Sequence, residues 1–335
     1  MARTGSAALA EAPHSITDVP GIRVGHATDA VALTGVSVVL CDRPAVAGAE
    51  LRGWANDVVG LDYLDPRHLV GTVNGVVLGG GSRYGGEAIW GVLRWLESQG
   101  QGFTAGPTVV PHVPGAFLFD LNVGDGRVRP TREMGWEAAS HAAGGAVVEG
   151  SVGAGTGASV GKIHGIARAM RGGIGSSSVR LDGGVIVGAL VAVNAVGDVR
   201  DPDTSALIAG TRDSPSGRRL IDSARTLATG EALGRFAAPS HTTIGVVATN
   251  ARLTKSEASK VASLGMLGFA RALSPPHTAF DGDTLFALSI GDVGADITRL
   301  GLAAADAVAR AIVRGVRAAT SRPDLPAVAD ITPGA

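Results

Sequence analysis

The feature that most restricts how this chain can fold is a set of short, unbroken apolar runs closed by turn residues. GVSVVL (35–40), GVVLGG (75–80) and VIVGALVAVNAV (185–196) are rich in valine and small residues. Each reads as a buried strand. FDGDTLFALSIG (280–291) reads as a loop leading into another strand, and ITDVPGIRVGHAT (16–28) as an early strand and turn. Helical patterns lie between them. EAIWGVLRWLESQG (87–100) carries Ile89, Val92, Leu93 and Leu96 at helical spacing, with Gly100 suited to the stop. Residues 131–143 form a second helix. LTKSEASKVASLGMLGFARAL (253–273) forms a third, behind a Thr254–Glu257 capping box. A long final helix over 295–319 lines up Ile297, Leu300, Ala304, Val308 and Ile312. TVVPHVPGAFLFDL (108–121) is extended, because its two prolines forbid a continuous helix. Strands and helices that mix without strict alternation favour an α/β sandwich over a barrel. Fifty glycines and only 4% aromatic residues fit close packing of small side chains and many tight turns.

Residues 202–239 differ from the rest. Ser, Thr, Arg and Asp crowd together there, which reads as a surface insertion or linker whose end best accommodates an internal cut. The tail from Arg322 is proline-rich and reads as loose. The charge is nearly balanced, 29 basic against 30 acidic residues, so general nucleic-acid and acidic-lipid binding are excluded. The lone Cys41 cannot form an internal disulfide and reads as a small buried side chain in a reducing compartment. The first residues lack a sustained apolar stretch, and the run 184–197 is too short to span a bilayer and contains Asn194. The expectation is a soluble, cytoplasmic protein with no membrane partner.

Several familiar chemistries fail on spacing. GSVGAGTGASVGK (150–162) invites a phosphate-loop reading, yet Thr156 stands where the first glycine belongs and Ile163 follows Lys162. No dinucleotide fingerprint fits it either. Its positive reading is backbone passing near a reacting group, with Lys162 delivering an amine or, failing that, lying on the surface. The eight histidines lack paired-ligand spacing, and Asp281 and Asp283 around Gly282 are too few for a calcium loop, so no metal and no cofactor are expected. Two such carboxylates usually mark a solvated tip, but they can also orient an amine or a hydroxyl. No GxSxG elbow is present; GGGSRYGG (79–86), with Tyr84, is a strand-to-helix turn.

PSHTTIGVVATN (239–250) is what remains. His241, Thr242 and Thr243 stand at the lip of a buried strand. Local propensity alone explains Thr and Val there. The chemical reading is that Thr242 becomes a nucleophile once the His241–Thr242 bond is cut, because its freed amine then serves as base. An α-amine has a pKa of roughly 7.7–8.0, so it is partly unprotonated near neutrality.

These pieces together resemble the self-processing DmpA-type aminopeptidases and their relatives, the nylon-oligomer endohydrolases (NylC-like) among the N-terminal nucleophile hydrolases. ITDVPGIRVGHAT, VVLGGGSRYG, GSVGAGTGASVGK, VGALVAVNAVGDV, TTIGVVATNARLTKSEASKVA and HTAFDGDTLFAL occur in the family's order and span most of the chain. The resemblance implies a four-layer αββα sandwich over 1–335, self-cleaved into an α piece (1–241) and a β piece (242–335) that pair and assemble into tetramers. It makes Thr242 the nucleophile, Asn194 an oxyanion donor, Lys162 a lysine beside the nucleophile, and Asp281 and Asp283 the supporting acidic pair of the nylon-hydrolase branch. Tyr84 and Phe119 are candidate substrate-binding residues. The chain departs at His241, where nylon hydrolases have Asn, and at Phe119, which replaces a family tyrosine. RGWANDVVGLDYLDP (52–66) departs from the usual glycine- and threonine-rich version, which leaves substrate choice open. The implied activity is hydrolysis of peptides, amino-acid amides or polyamide oligomers. The alternatives are a nylon-oligomer endohydrolase specifically, an acyltransferase of the ornithine acetyltransferase type, and an uncleaved, non-catalytic binding protein.

Overall fold

The computed structural model describes residues 14–230 and 241–331. The N-terminal residues 1–13, and Pro239 and Ser240 at the end of the polar segment, lie outside them. Nine strands hydrogen-bond into one bent sheet. They are β1 (Ile22–Asp29), β2 (Thr34–Leu51), β3 (Val58–Val59), β4 (Val73–Gly79), β5 (Gly115–Phe117), β6 (Gly173–Leu181), β7 (Val185–Val193), β8 (Ile244–Ala251) and β9 (Thr284–Val293). The helices are α1 (Glu87–Ser98), α2 (Arg132–Ser140), α3 (Ser223–Ala228), α4 (Lys255–Gly265), α5 (Leu267–Ala272) and α6 (Ile297–Arg317). Pairing runs β6-β7-β8-β9-β2-β4-β5-β3, with β1 on the free side of β2.

The long strand β2 makes the bend. Its first part pairs with β1 and β4, and its last part, from Val46 to Leu51, pairs with β9. The register breaks between Leu40 and Ala45. Pro44 lies in that break and has no N–H to give a ladder, and Asp42, Arg43 and Pro44 are exposed. The two halves of the sheet therefore fold face to face.

The period of two along each strand sorts its side chains into the seams between layers. Val39, Cys41, Val76 and Leu78 from one half share a buried cluster with Leu190, Ala192, Val246, Ala248, Phe286 and Leu288 from the other. The alternate residues Val36, Val38, Leu40 and Val77 pack on α1 and α2. Val187, Ala189, Val191, Val193, Val247 and Leu285 pack on α4, α5 and α6. Three seams make four layers, α-β-β-α, as the resemblance implies. Glycines let the layers close: a Cβ on Gly175 of β6 would lie 2.2 Å from the Ala311 carbonyl of α6. Cys41 is buried as expected, and burial pushes its thiol up to about 12, so it stays protonated.

The helix over 253–273 starts at the expected capping box but divides at Met266 into α4 and α5. The polar segment is not simply a surface linker. Ile208, Ala209, Thr211, Arg212 and Ser223 are buried. The buried Asp198 carboxylate accepts from Thr211 N–H (2.9 Å), Ser223 N–H (2.7 Å) and Ser223 Oγ (2.5 Å), tying the segment to the body. Its polar residues bond inward, a use that composition does not reveal. The tail is also less loose than expected, because Leu325 and Ala327 are buried. Among the described residues no helix is long and apolar enough to cross a membrane.

Candidate active site

Strand register brings Thr242 and Asn194 together. Ile244 of β8 stands opposite Ala192 of antiparallel β7 and opposite Thr284 of parallel β9. Two residues back along β8, Thr242 therefore falls between Asn194 and Gly282. The hydrogen bonds continue to that point. Thr242 N–H donates to the Asn194 carbonyl (3.1 Å), Gly282 N–H donates to the His241 carbonyl (3.0 Å), and Thr284 N–H donates to the Thr243 carbonyl (3.0 Å). His241, Thr242 and Thr243 are all buried.

The two threonines differ. The Thr242 hydroxyl hydrogen-bonds the carbonyl oxygen of the preceding residue, His241. That oxygen thus receives two donors, the hydroxyl and Gly282 N–H. The Thr243 hydroxyl is buried and has no partner among the described residues, while its backbone N–H donates to Asp283 Oδ1 (2.8 Å).

Asn194 is wholly buried and uses both ends of its amide. Its Oδ1 accepts from Ser159 N–H (3.0 Å) and from Lys162 Nζ (2.8 Å), and its Nδ2 donates to the Phe119 carbonyl (3.0 Å). Lys162 is buried, not a surface residue. The glycine-rich loop carries it in, with Lys162 N–H donating to the Val196 carbonyl (2.8 Å). Its Nζ also donates to the Asn194 carbonyl (2.9 Å), the same oxygen that accepts Thr242 N–H. Burial brings the Lys162 ammonium down to about 7, against the pull of the Asp281, Asp120 and Asp283 carboxylates. The amine is therefore poised between its two protonation states near neutrality.

Asp281 and Asp283 are not a solvated tip; each is 1% exposed. Neither bonds the Thr242 hydroxyl in this structure. Asp281 accepts from Val196 N–H (3.3 Å), Thr278 N–H (2.9 Å) and Thr278 Oγ1 (2.6 Å). Asp283 Oδ2 accepts from His277 N–H (3.1 Å) and meets His277 Nδ1 at 2.8 Å. The pair thus holds the backbone around the threonines. Burial, and next the Asp283 charge, raise Asp281 well above the ordinary carboxylate range. The loop after β2 is stapled to this turn by Arg52 N–H to the Asp283 carbonyl (2.8 Å) and Ala55 N–H to the Asp281 carbonyl (3.1 Å).

A cleft of about 220 Å³ opens on Thr242, lined by Ala55, Asn56, Asp57, Ser82, Phe117, Phe119, His241 and Thr242. Phe119 is thus brought to the site. Tyr84 is not among the lining residues; it is 59% exposed with the Arg129 guanidinium 3.9 Å above its ring. Sequence reasoning passed over Asp120. This buried carboxylate accepts from Gly81 N–H (2.7 Å) and Thr34 Oγ1 (2.8 Å), and burial raises it to about 6. It fixes the glycine turn beside Phe119. The signal available was a carboxylate closing the apolar run FLFD.

The sequence profile of peptidase family S58 matches residues 14–324. An uncharacterized aminopeptidase of Mycobacterium tuberculosis (strain ATCC 25618 / H37Rv) is 39% identical over 351 residues, covering 96% of this chain and 99% of the relative. A 6-aminohexanoate-oligomer endohydrolase of Kocuria sp. (strain KY2) is 31% identical over 280 residues, 82% of this chain and 75% of the relative. The L-aminopeptidase D-Ala-esterase/amidase of Ochrobactrum anthropi, described as a variant of the Ntn hydrolase fold, superposes with a TM-score of 0.72 at 21% identity over 94% of this chain and 91% of that one.

Proposed function

The chain belongs to peptidase family S58, and from that premise we propose that Thr242 is its nucleophile, freed by cleavage of the His241–Thr242 bond. The protein is an amide-bond hydrolase, with aminopeptidases and oligomer endohydrolases among its relatives. One observation carries the proposal: the Thr242 hydroxyl sits on the carbonyl it would attack, and Gly282 N–H bonds the same oxygen.

In the self-cleavage, Thr242 Oγ1 adds to the His241 carbonyl carbon and gives up its proton to the nearby base, for which the neutral amine of Lys162 is suited. Gly282 N–H holds the developing oxyanion. The C–N bond breaks, the Thr242 nitrogen takes a proton, and an ester joins the His241 acyl group to Oγ1. Water hydrolyses that ester to a His241 carboxylate and a free Thr242. In turnover the same oxygen attacks the substrate carbonyl, and the new α-amine, held at the Asn194 carbonyl beside Lys162, handles the proton. Asn194 Nδ2 carries a second hydrogen for the oxyanion, since Phe119 takes one. Such a donor lowers a barrier by roughly 3–4 kcal/mol.

Mass spectrometry and terminal sequencing test this. The purified protein should consist of 1–241 and 242–335, and Thr242→Ala should remain one inactive chain. A new terminus at any other residue would remove Thr242 from the role.

A further inference from the structure

A second hollow lies between the polar segment and the tail that follows α6. Its volume is about 420 Å³, and its charged and hydroxyl-bearing lining residues are Arg212, Ser216, Arg218, Ser321, Arg322 and Asp330. Three arginines and one aspartate leave this wall with a surplus of positive charge. The surplus is not neutralised from within. Arg212 is buried and forms no ion pair among the described residues. Its guanidinium donates instead to the carbonyls of Ala167 (2.8 Å), Ala169 (3.2 Å), Gly217 (3.3 Å) and Pro215. Arg218 is exposed and likewise forms no ion pair among the described residues. Arg322 reaches Asp324 only at 3.7 Å, and that carboxylate is 81% exposed, which makes a weak pair. Asp330 is held on its own turn, where Oδ2 accepts Ala327 N–H (3.3 Å).

A fourth arginine adjoins this wall. Arg171 N–H donates to the carbonyl of Pro326, another lining residue (2.9 Å). The Arg171 side chain is 2% exposed. Its Nη2 donates to Ser151 Oγ (2.8 Å) and to the Thr156 carbonyl (2.6 Å), while Nε and Nη1 are buried without partners among the described residues. Burial, and next the like charge of Arg322, bring its guanidinium down to about 10. Buried charges are ordinarily paired. Here two buried guanidiniums lack a carboxylate, two more stand beside them at the surface, and an anion between them would relieve the repulsion. Guanidinium forks match the oxygens of phosphate. Ser321 Oγ accepts Ala327 N–H (3.3 Å), so its own hydrogen is free to donate. The volume falls within the roughly 300–1,000 Å³ of small-molecule sites.

We propose that this hollow binds a phosphate dianion, held by Arg218, Arg322 and the serine hydroxyls, with the charges of Arg212 and Arg171 adding to the pull. Free phosphate and a phosphate monoester carry the same chemistry. Arg218 belongs to the segment ahead of the proposed cut and Arg322 to the tail after α6, so the bound dianion clips one to the other.

Calorimetric titration of the purified protein at low salt tests this, with inorganic phosphate as one probe, glycerol 3-phosphate as the other, and sodium chloride at matched ionic strength as the control. Phosphate should bind saturably with a Kd below about 1 mM and weaken as salt is added. Arg218→Ala and Arg322→Ala should each raise Kd at least about 10-fold, and the double variant should bind nothing measurable. Both side chains are exposed, and circular dichroism matching the wild type checks that the variants fold. Arg127→Ala, which removes an arginine 88% exposed elsewhere on the surface, should keep the wild-type Kd. Tighter binding of phosphate would assign the site to the free ion, and tighter binding of glycerol 3-phosphate to a phosphorylated metabolite. Heats no larger than those from sodium chloride, a double variant with the wild-type Kd, or an equal loss in Arg127→Ala would each overturn the proposal.

Discussion

Asn194→Ala separates a donor that acts only in the transition state from one that also supports the fold. An oxyanion donor alone would leave stability untouched. The structure says otherwise, because the Asn194 amide already bonds Ser159, Lys162 and Phe119 in the resting state. Its removal strands Ser159 N–H and the Phe119 carbonyl, which bond it at 3.0 Å each. A buried polar group left without a partner costs about 1–3 kcal/mol. Lys162 is affected less, since it keeps the Asn194 carbonyl as an acceptor at 2.9 Å. The expected loss is therefore about 2–6 kcal/mol, a large share of the roughly 5–15 kcal/mol that holds a domain together. The melting temperature should fall by about 3–9 °C. The measurement belongs in a Thr242→Ala background, where a single uncut chain keeps the comparison clean. Calorimetry of the single and double variants gives the difference directly. A double variant melting within about 1 °C of its parent would refute the reasoning, because the amide would then be dispensable to its three neighbours.

The neighbouring threonine should behave oppositely. The Thr243 hydroxyl is buried without a partner among the described residues, so Thr243→Val should be neutral or stabilise by up to about 1 kcal/mol in urea unfolding, and the chain should still cut itself. Lys162 sets a pH limb for self-cleavage. Burial depresses its ammonium to about 7, so the neutral amine prevails above that pH and is lost below it; the rate at which the precursor cuts itself should fall as pH drops through 7. Lys162→Arg, whose guanidinium never gives up its proton, should lose about 10²–10⁴ in rate and recover nothing at pH 9. An arginine variant with the wild-type rate and limb would remove Lys162 from proton transfer.

Much of the architecture was legible in the residues. The apolar runs GVVLGG and VIVGALVAV became β4 and β7, and the Thr254–Glu257 box starts α4 where its spacing placed it. Local chemistry decides such elements. The bend of β2 was not legible, because it depends on which strands lie on either side of Pro44. The inward use of residues 208–223 was also hidden. Polar composition looks the same whether its partners are water or Asp198. At the site, register explains why Asn194 and Thr242 meet, and the apolar context of Asn194 already marked its amide as spoken for. Lys162 and the Asp281–Asp283 pair looked equally suited to a solvated surface, and only the fold shows them buried. Asp57 and Ser82 carry no local signal, since a loop after one strand and a turn after another meet only in three dimensions.

The smaller piece of a cut chain would supply β8 and β9, neighbours in the middle of the sheet, with β7 on one side and β2 on the other, both from the larger piece. Before the cut, folding is a first-order search by one tethered molecule. After it, the same sheet can be rebuilt only by a second-order encounter of two fragments, so thermal midpoints would shift with dilution. Each fragment alone would expose long, unpaired strand edges, which favour aggregation over reunion. The lifetime of the working enzyme would then be set by the rate at which it unfolds, and heat would inactivate it in one direction only.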